Sequence, residues 1–223
     1  MTDDTSMTLS RSWSWSGVAM SAAGELAALA QMACAFPLRG LGAHTLGDVD
    51  AHPVPVVLVH GILGDPTNFF VLRRHLARHG IRRFSSFAYR PRLDYQRISH
   101  DLAAHIEQVR KETGVAQVDV IGHSLGGLVA RYFVQTTGTS MVRRLVTLGT
   151  PYLAIHNPTQ ELAVFGADDA LVPPPYDKAR RRMRVIEGCG HLGLLTDGRV
   201  LDAIVRYLRP PLFAANHAAE VAA

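Results

Sequence analysis

The sequence predicts one α/β domain in which helices cover both faces of a mostly parallel sheet of about six strands. Three observations lead to this fold class: the length, the composition and the order of the predicted elements. The length of 223 residues suits a single domain, and an apolar fraction of 48% with a charged fraction of 19% is typical of a globular chain. From Val54 onward, short apolar or β-branched segments alternate with helical segments. This alternation indicates βαβ units, whose parallel strands are buried on both faces.

Six segments are predicted as strands, because each is short, apolar or β-branched and bounded by Gly, Pro or polar residues. In chain order they are Val56–His60, Phe84–Tyr89, Val118–Ile121, Arg144–Leu148, Leu162–Phe165 and Met183–Ile186. Helices are predicted between or after them at Thr67–His79, Tyr95–Thr113, Ser124–Thr136 and Arg199–Leu208. The α/β domain is thus predicted over residues 54–209, with a helical N-terminal extension at 1–53 and a C-terminal tail at 210–223.

The N-terminal extension contains an apolar segment, Val18–Phe36, that is rich in Ala, Leu and Met. Glu25 and Gln31 interrupt it, so its longest charge-free run is Leu26–Leu38. That run is shorter than the ~20 apolar residues that a membrane-spanning helix needs. A transmembrane segment is therefore not expected, and the segment is predicted to be an amphipathic helix packed on the domain.

Two other interpretations of the extension stay open. Trp13 and Trp15 favour a peripheral membrane contact of the N-terminal helix. Ala33–Ala35 resembles a signal-peptidase site, although Glu25 within the apolar segment argues against a signal peptide. A cytoplasmic or peripheral membrane location is accordingly favoured over secretion.

Charge and cysteine content limit the kinds of partner, disulfide and metal site that the sequence predicts. The net charge is +4, but the arginines occur in small groups along the chain and are interpreted as solvated ends of helices and strands. No nucleic-acid partner is therefore predicted. Cys34 and Cys189 lie far apart and match no metal-binding spacing, so neither a disulfide framework nor a metal site is expected.

A candidate nucleophile follows the third predicted strand. Gly122-His123-Ser124-Leu125-Gly126 has the pattern G-x-S-x-G between a predicted strand and a predicted helix, which is the context of a nucleophile elbow. Such a turn holds its serine in a strained backbone conformation, and side chains at positions 122 and 126 would collide with the neighbouring strand and helix. Ser124 is therefore predicted as the nucleophile.

A serine nucleophile needs a general base and an orienting carboxylate, here in the chain order Ser, Asp, His. Gly166–Pro173 follows a strand and lies at the carboxyl edge of the sheet, where ligand sites form. Of its two carboxylates, Asp169 is chosen as the orienting acid, and Asp168 is the alternative, with a turn-tightening role otherwise. His191, in a glycine-rich loop at the same edge, is predicted as the base.

Acyl transfer also requires hydrogen-bond donors for the oxyanion. The loop His60–Gly64 follows the first strong strand, so the backbone N–H of Ile62 can point toward the serine. The residue after the nucleophile, Leu125, supplies the second N–H. His60 is then expected to brace this loop.

These motifs resemble those of the α/β-hydrolase superfamily, and within it the small bacterial lipases and esterases. The resemblance covers about residues 54–209 and rests on VVLVHGILGDPTNF, VIGHSLGGLVARYFVQ, LVTLGTP, GADDALVPP and GCGHLGLL, in the family's order. It implies an α/β-hydrolase fold with no metal or organic cofactor. The roles of nucleophile, orienting acid and general base carry over to Ser124, Asp169 and His191, and those of the oxyanion donors to Ile62 and Leu125.

The sequence departs from the family pattern after LGTP. Family members usually continue with His and a Gly-Thr pair, whereas this chain has Tyr152, Leu153 and Ala154, and only residues 152–160 precede the next predicted strand. A parallel crossover normally takes at least ~10 to 12 residues. We therefore expect either a lidless enzyme without a cap domain or a crossover that lacks a piece the fold needs. Tyr152 and Leu153 are predicted to line the acyl groove, or else to plug the sheet edge.

The expected reaction is hydrolysis of a carboxylic ester, of a small molecule or a lipid, through an acyl-enzyme. A thioesterase or an amidase would use the same triad. The alternative of a different class is a non-catalytic hydrolase-fold protein that binds a partner or a membrane through its N-terminal helix, and an intact triad argues against it. Fold analogy does not select among substrates.

Overall fold

The structure, a computed structural model, describes residues 25–26, 30, 44–46, 52–62, 64–90, 93–151, 160–175 and 183–209. Its strands are β1 (His44–Thr45), β2 (Val56–Val59), β3 (Phe84–Phe87), β4 (Val118–His123), β5 (Val142–Leu148), β6 (Glu161–Gly166) and β7 (Met183–Ile186). Its α-helices are α1 (Phe70–Arg78), α2 (Tyr95–Thr113), α3 (Leu125–Phe133) and α4 (Gly198–Leu208). A 3-10 turn, Pro66–Phe69, leads into α1, and a π-helical turn, Val134–Gly138, follows α3.

The strands form one sheet in the order β1-β3-β2-β4-β5-β6-β7. All pairs from β3 to β7 are parallel, so the predicted mostly parallel sheet of six strands is confirmed. A seventh strand, β1, pairs antiparallel with β3 at the sheet edge. The sequence does not predict this strand, because two residues are too few to show an alternating pattern.

Helices cover both faces of the sheet, as predicted. On one face α1 and α4 pack against the sheet, and on the other α2 and α3 do so. Each helix turns an apolar stripe inward with a spacing of three or four residues. The buried residues of these stripes include Leu72 and Leu76 of α1, Leu201 and Ile204 of α4, Ile98, Leu102 and Ile106 of α2, and Val129 and Phe133 of α3.

The ends of α2 agree with their sequence. The carboxylate of Asp94 accepts a hydrogen bond from the N–H of Arg97 at 3.0 Å, which caps the first turn. Gly114 ends the helix in the left-handed conformation, with φ of 69°. These two signals explain why α2 has the bounds that the sequence predicts.

A buried ion pair supports the connection from β5 to β6, whose residues 152–159 lie outside the described part of the chain. Arg131 of α3 donates to the Glu161 carboxylate at 2.7 Å, and both side chains are almost fully buried. The same guanidinium donates to the carbonyl of Pro151 at 3.0 Å. Four residue pairs of β5 and β6 then align in parallel. The short connection therefore does return the chain to a parallel strand.

No helix among the described residues is long and apolar enough to cross a membrane. Trp13, Trp15, Ala33–Ala35 and the C-terminal tail lie outside the described residues, so the interpretations that depend on them stay predictions. The same holds for most of the N-terminal extension, of which Glu25 and Leu26 are described as helical.

Candidate active site

Ser124 lies directly after β4, at the carboxyl edge of the sheet. Its backbone has φ of 53° and ψ of −122°, and it is the one non-glycine residue with a positive φ in the described part of the chain. Its N–H donates to the carbonyl of Leu148 at the end of β5, at 2.8 Å. A non-glycine residue is held in such a conformation only where its surroundings impose it, which is common at functional sites.

The turn at Ser124 is packed too tightly for a side chain at either position two residues away from the serine. A Cβ atom at Gly126 would lie 2.2 Å from the carbonyl oxygen of Val59 in β2. One at Gly122 would lie 2.5 Å from the Cα of Gly127. The elbow therefore requires glycine at both positions for space, in line with the sequence prediction.

His191 and Asp169 meet at the same edge. The Nδ1 atom of His191 lies 2.7 Å from Oδ2 of Asp169, and both residues are buried. The other carboxylate oxygen of Asp169 accepts from the N–H groups of Leu171 and Val172, at 2.9 and 2.8 Å. With the Nδ1–H donated to this anchored carboxylate, Nε2 of His191 is left as the acceptor nitrogen.

Asp168, the alternative acid, does not meet His191. Its N–H donates to the carbonyl of Cys189, which ties the acid loop (residues 167–173) to the histidine loop (residues 187–192). Its Oδ2 atom is buried and has no hydrogen-bond partner among the residues that the structure describes. Of the two neighbouring carboxylates, the geometry brings only Asp169 to the imidazole.

His123, the residue before Ser124, joins the elbow to the histidine loop. Its Nε2 lies 3.2 Å from the carbonyl oxygen of His191, and the two rings are 4.7 Å apart. Burial lowers the pKa of His123 to about 3, with the neighbouring His191 as the second cause. A neutral His123 can donate Nε2–H to that carbonyl, which places His191 against the serine turn.

The two predicted oxyanion donors are Ile62 and Leu125. Ile62 lies in the loop after β2, where a Cβ atom at Gly61 would be 3.2 Å from Cβ of Ser124. Leu125 begins α3. The N–H groups of Ile62 and Leu125 have no acceptor among the described residues. The role of these two amides as oxyanion donors stays a prediction.

His60 braces this loop, as expected. Its Nδ1 atom lies 2.8 Å from the carbonyl oxygen of Gly61, and its ring stacks on Tyr89 with the centroids 4.4 Å apart. The Tyr89 hydroxyl donates to the backbone carbonyl of His60 at 2.7 Å. Burial lowers the pKa of His60, so its neutral form is favoured.

Gly149 is a site residue that the sequence reasoning missed. It has φ of 53°, and a Cβ atom there would lie 3.0 Å from both Oδ2 of Asp169 and Nδ1 of His191. The LGTP turn therefore runs against the hydrogen bond between acid and base. Its neighbour Thr150 donates to the carbonyl of Ser124 at 3.2 Å. The only sequence signal was the LGTP motif itself, which does not indicate this contact.

The predicted substrate-binding residues Tyr152 and Leu153 lie outside the described residues, and their role stays a prediction. Within the described ranges, no group of three or more His, Cys, Asp or Glu side chains could hold a metal ion.

A protein-family model matches most of the predicted α/β domain. A family model described as the alpha/beta hydrolase fold matches residues 54–182. This range contains Ser124 and Asp169 and ends before His191. The family match thus covers the serine turn and the acid loop.

Two curated relatives share part of the sequence. A triacylglycerol lipase from Pseudarthrobacter phenanthrenivorans and one from Burkholderia plantarii are each 32% identical to the chain over 108 residues. The aligned part is 44% of this chain, and 33% and 29% of the two lipases. The chain therefore spans about a third of the length of the curated relatives that it matches.

The fold is also found in solved structures. An esterase from Exiguobacterium antarcticum superposes with a TM-score of 0.56 and 16% sequence identity, over 73% of this chain and 94% of the esterase. At this identity the likeness establishes the fold alone.

Proposed function

Because the chain belongs to the α/β-hydrolase family, we propose that it is a serine hydrolase that cleaves carboxylic esters through an acyl-enzyme. The observation that carries this proposal is the strained Ser124 beside the buried hydrogen bond of His191 to Asp169. A nucleophile, a base and an acid that orients the base are the parts that acyl transfer needs. The triad and the ester chemistry are both part of the proposal.

In the first half of the proposed reaction, Oγ of Ser124 attacks the ester carbonyl carbon while Nε2 of His191 takes the hydroxyl proton. Asp169 keeps the imidazole in the required tautomer and stabilises the imidazolium that forms. The negative charge that develops on the carbonyl oxygen is stabilised by the N–H groups of Ile62 and Leu125. As the tetrahedral intermediate collapses, the C–O bond breaks and His191 gives the proton to the departing alcohol.

In the second half, water replaces the alcohol. His191 takes a proton from the water as it attacks the acyl carbon, and the same two N–H groups bind the oxyanion again. Collapse breaks the bond to Oγ, His191 returns the proton to Ser124, and the carboxylic acid leaves. The site returns to its starting state without any cofactor in this scheme.

An ester is the favoured substrate class over a thioester or an amide, because both curated relatives are named triacylglycerol lipases. The proposal extends to small-molecule and lipid esters, since the chain covers only part of those lipases. Acyl-chain preference is measured directly by comparing p-nitrophenyl esters of graded chain length.

The same esters test the proposal when the Ser124→Ala variant is assayed beside the wild type. The variant should lose at least about 10⁴ in kcat while keeping its fold, because the hydroxyl is needed for chemistry and carries no core packing. Circular dichroism and thermal unfolding check the fold. A variant with half of the wild-type rate would remove Ser124 from the mechanism.

We further propose that the site is open to dissolved substrate, because few residues connect β5 to β6, where a lid is usual in this family. The rate on tributyrin should then rise smoothly through its solubility limit. A sharp increase when droplets form would mean that another segment closes over the site, and the lidless proposal would be rejected.

A further inference from the structure

A carboxylate from the N-terminal segment binds the loop that carries His191. Oε1 of Glu25 accepts hydrogen bonds from the N–H groups of Leu192 and Gly193, at 2.8 and 2.9 Å. Oε2 lies 3.1 Å from the same Leu192 nitrogen. These contacts join residues more than 160 positions apart in the sequence. The two donors directly follow the proposed base.

The approach of Glu25 is close, and the loop sequence permits it. A Cβ atom at Gly190 would lie 2.5 Å from Oε1 of Glu25, so a side chain there would displace the carboxylate. On the other side of the proposed base, Gly193 begins a 3-10 turn, Gly193–Leu195, and its own N–H is one that the carboxylate binds. Hydrogen bonds from backbone N–H groups to a carboxylate are among the stronger ones in proteins.

The three contacts that fix His191 act on different parts of the residue. Asp169 holds the ring through Nδ1, and His123 lies against the backbone carbonyl. Glu25 binds the next two amides along the chain. Without Glu25, these two N–H groups would lose their acceptor, and the backbone after His191 would be held by the hydrogen bonds of its own 3-10 turn.

We propose that Glu25 is a positioning residue for the base, acting through the Leu192 and Gly193 amides to keep His191 aligned with Ser124. This inference rests on the proposed serine hydrolase function. It gives the N-terminal segment a part in catalysis, whereas the sequence suggests only that Glu25 interrupts an apolar helix. An error of about 1 Å in the position of a catalytic group can cost on the order of 10²-fold in rate.

Two substitutions distinguish the role of the Glu25 side-chain oxygen as a hydrogen-bond acceptor from a general effect of negative charge at this position. Glu25→Ala removes both hydrogen bonds. Glu25→Gln loses the charge but keeps a side-chain oxygen that can accept from both amides. Glu187→Ala is the matched control, because Glu187 is an exposed carboxylate at the start of the same loop and lies outside the proposed machinery.

The experiment uses the full chain and a fluorophosphonate probe. The endpoint of the probe reaction counts competent sites, and its rate constant reports activation of the serine at each site. Steady-state kinetics on a p-nitrophenyl ester then give kcat for each counted site and KM. A mere loss of folded protein lowers the endpoint and leaves both per-site rates unchanged.

For Glu25→Ala we expect kcat and the probe rate constant, both per counted site, to fall by about tenfold or more, with KM within about twofold. Glu25→Gln should recover to within about threefold of the wild type, and Glu187→Ala should match the wild type. Per-site rates of Glu25→Ala within twofold of the wild type would overturn the inference, as would Glu25→Gln behaving like Glu25→Ala. If the wild type itself gave no probe endpoint, the proposed function would fail instead.

Discussion

In the described part of the chain, two buried His–Asp pairs lie at opposite ends of β4. At the carboxyl edge of the sheet, His191 and Asp169 meet at 2.7 Å beside Ser124, which follows β4. At the amino edge, Asp119 near the start of β4 meets His52 at 2.8 Å. Both pairs are almost inaccessible to solvent. Judged by distance and burial alone, the two would be equivalent.

Their surroundings separate them. Asp119 is occupied on both oxygens by Arg143, with its Nε at 2.9 Å from Oδ1 and its Nη2 at 2.5 Å from Oδ2. Arg143 also donates to the carbonyl of Leu208, which ties the end of α4 to the sheet. Within the described residues no arginine contacts Asp169, and its second oxygen is held by amides of its own loop. A His–Asp pair thus becomes a candidate site only where a strained nucleophile lies beside it.

The largest expected effect on kcat comes from neutralising Asp169, the acid of the pair at the carboxyl edge of the sheet. Asp169→Asn presents an amide to His191, which favours the wrong tautomer, so kcat on a p-nitrophenyl ester should fall by up to ~10⁴. Asp168→Asn is the neighbouring control and should cost far less, since Asp168 does not contact the imidazole. The opposite ranking of the two variants would move the orienting role to Asp168.

The corresponding change at the amino edge should affect stability instead. Asp119→Asn leaves Arg143 without its buried counter-charge, which is expected to lower the free energy of unfolding by about 3–5 kcal/mol. Urea unfolding measures this loss. The value of kcat per counted site should stay within about twofold of the wild type. A steep fall in kcat without a loss of stability would contradict the assignment of the two pairs.

A smaller change tests whether the LGTP turn leaves room for the carboxyl-edge pair. Gly149→Ala would place a methyl group 3.0 Å from atoms of both Asp169 and His191, and we expect kcat to fall by about 10²-fold. Gly114→Ala is the control, because Gly114 also has a positive φ but open space around it. The two variants share the backbone strain of about 1–2 kcal/mol. Equal activities would show that Gly149 acts through strain alone.

The smallest effect concerns pH and the histidine beneath the site. His123 has a folded-state pKa of about 3 against an ordinary 6.5. Below pH 6.5 the unfolded chain therefore binds a proton that the folded one does not, and stability is lost as pH falls toward about 3. This group should contribute a slope of up to about 1.4 kcal/mol per pH unit. His123→Gln should reduce the measured slope between pH 6 and pH 4, and an unchanged slope would contradict the burial account.

The elements that the sequence predicts best are those with strong local signals. The α2 helix has the predicted bounds because Asp94 and Gly114 cap an amphipathic stretch. The predicted helix Thr67–His79 instead starts as a 3-10 turn and becomes α-helical at Phe70. The predicted strand Phe84–Tyr89 ends at Phe87, where Tyr89 turns to stack on His60. Boundaries of this kind depend on tertiary contacts that local periodicity does not contain.

The residues of the candidate site likewise include some that the sequence indicates and some that it does not. A motif or a loop position in the sequence indicates each of Ser124, Asp169 and His191. The structure brings Asp169, the predicted acid, to His191. Gly149 and Glu25 could not be selected. Their importance arises from contacts with loops distant in sequence, and neither stands in a pattern that indicates a contact with the base.

We propose Ser124 as the nucleophile beside the carboxyl-edge pair of His191 and Asp169. The most direct test of this proposal is mass spectrometry of the peptides after reaction with a fluorophosphonate. We expect one adduct per chain, on Ser124, absent in Ser124→Ala, slowed in Asp169→Asn and formed at the wild-type rate in Asp119→Asn. An adduct on another residue, or equal labelling of Ser124→Ala, would contradict the proposal.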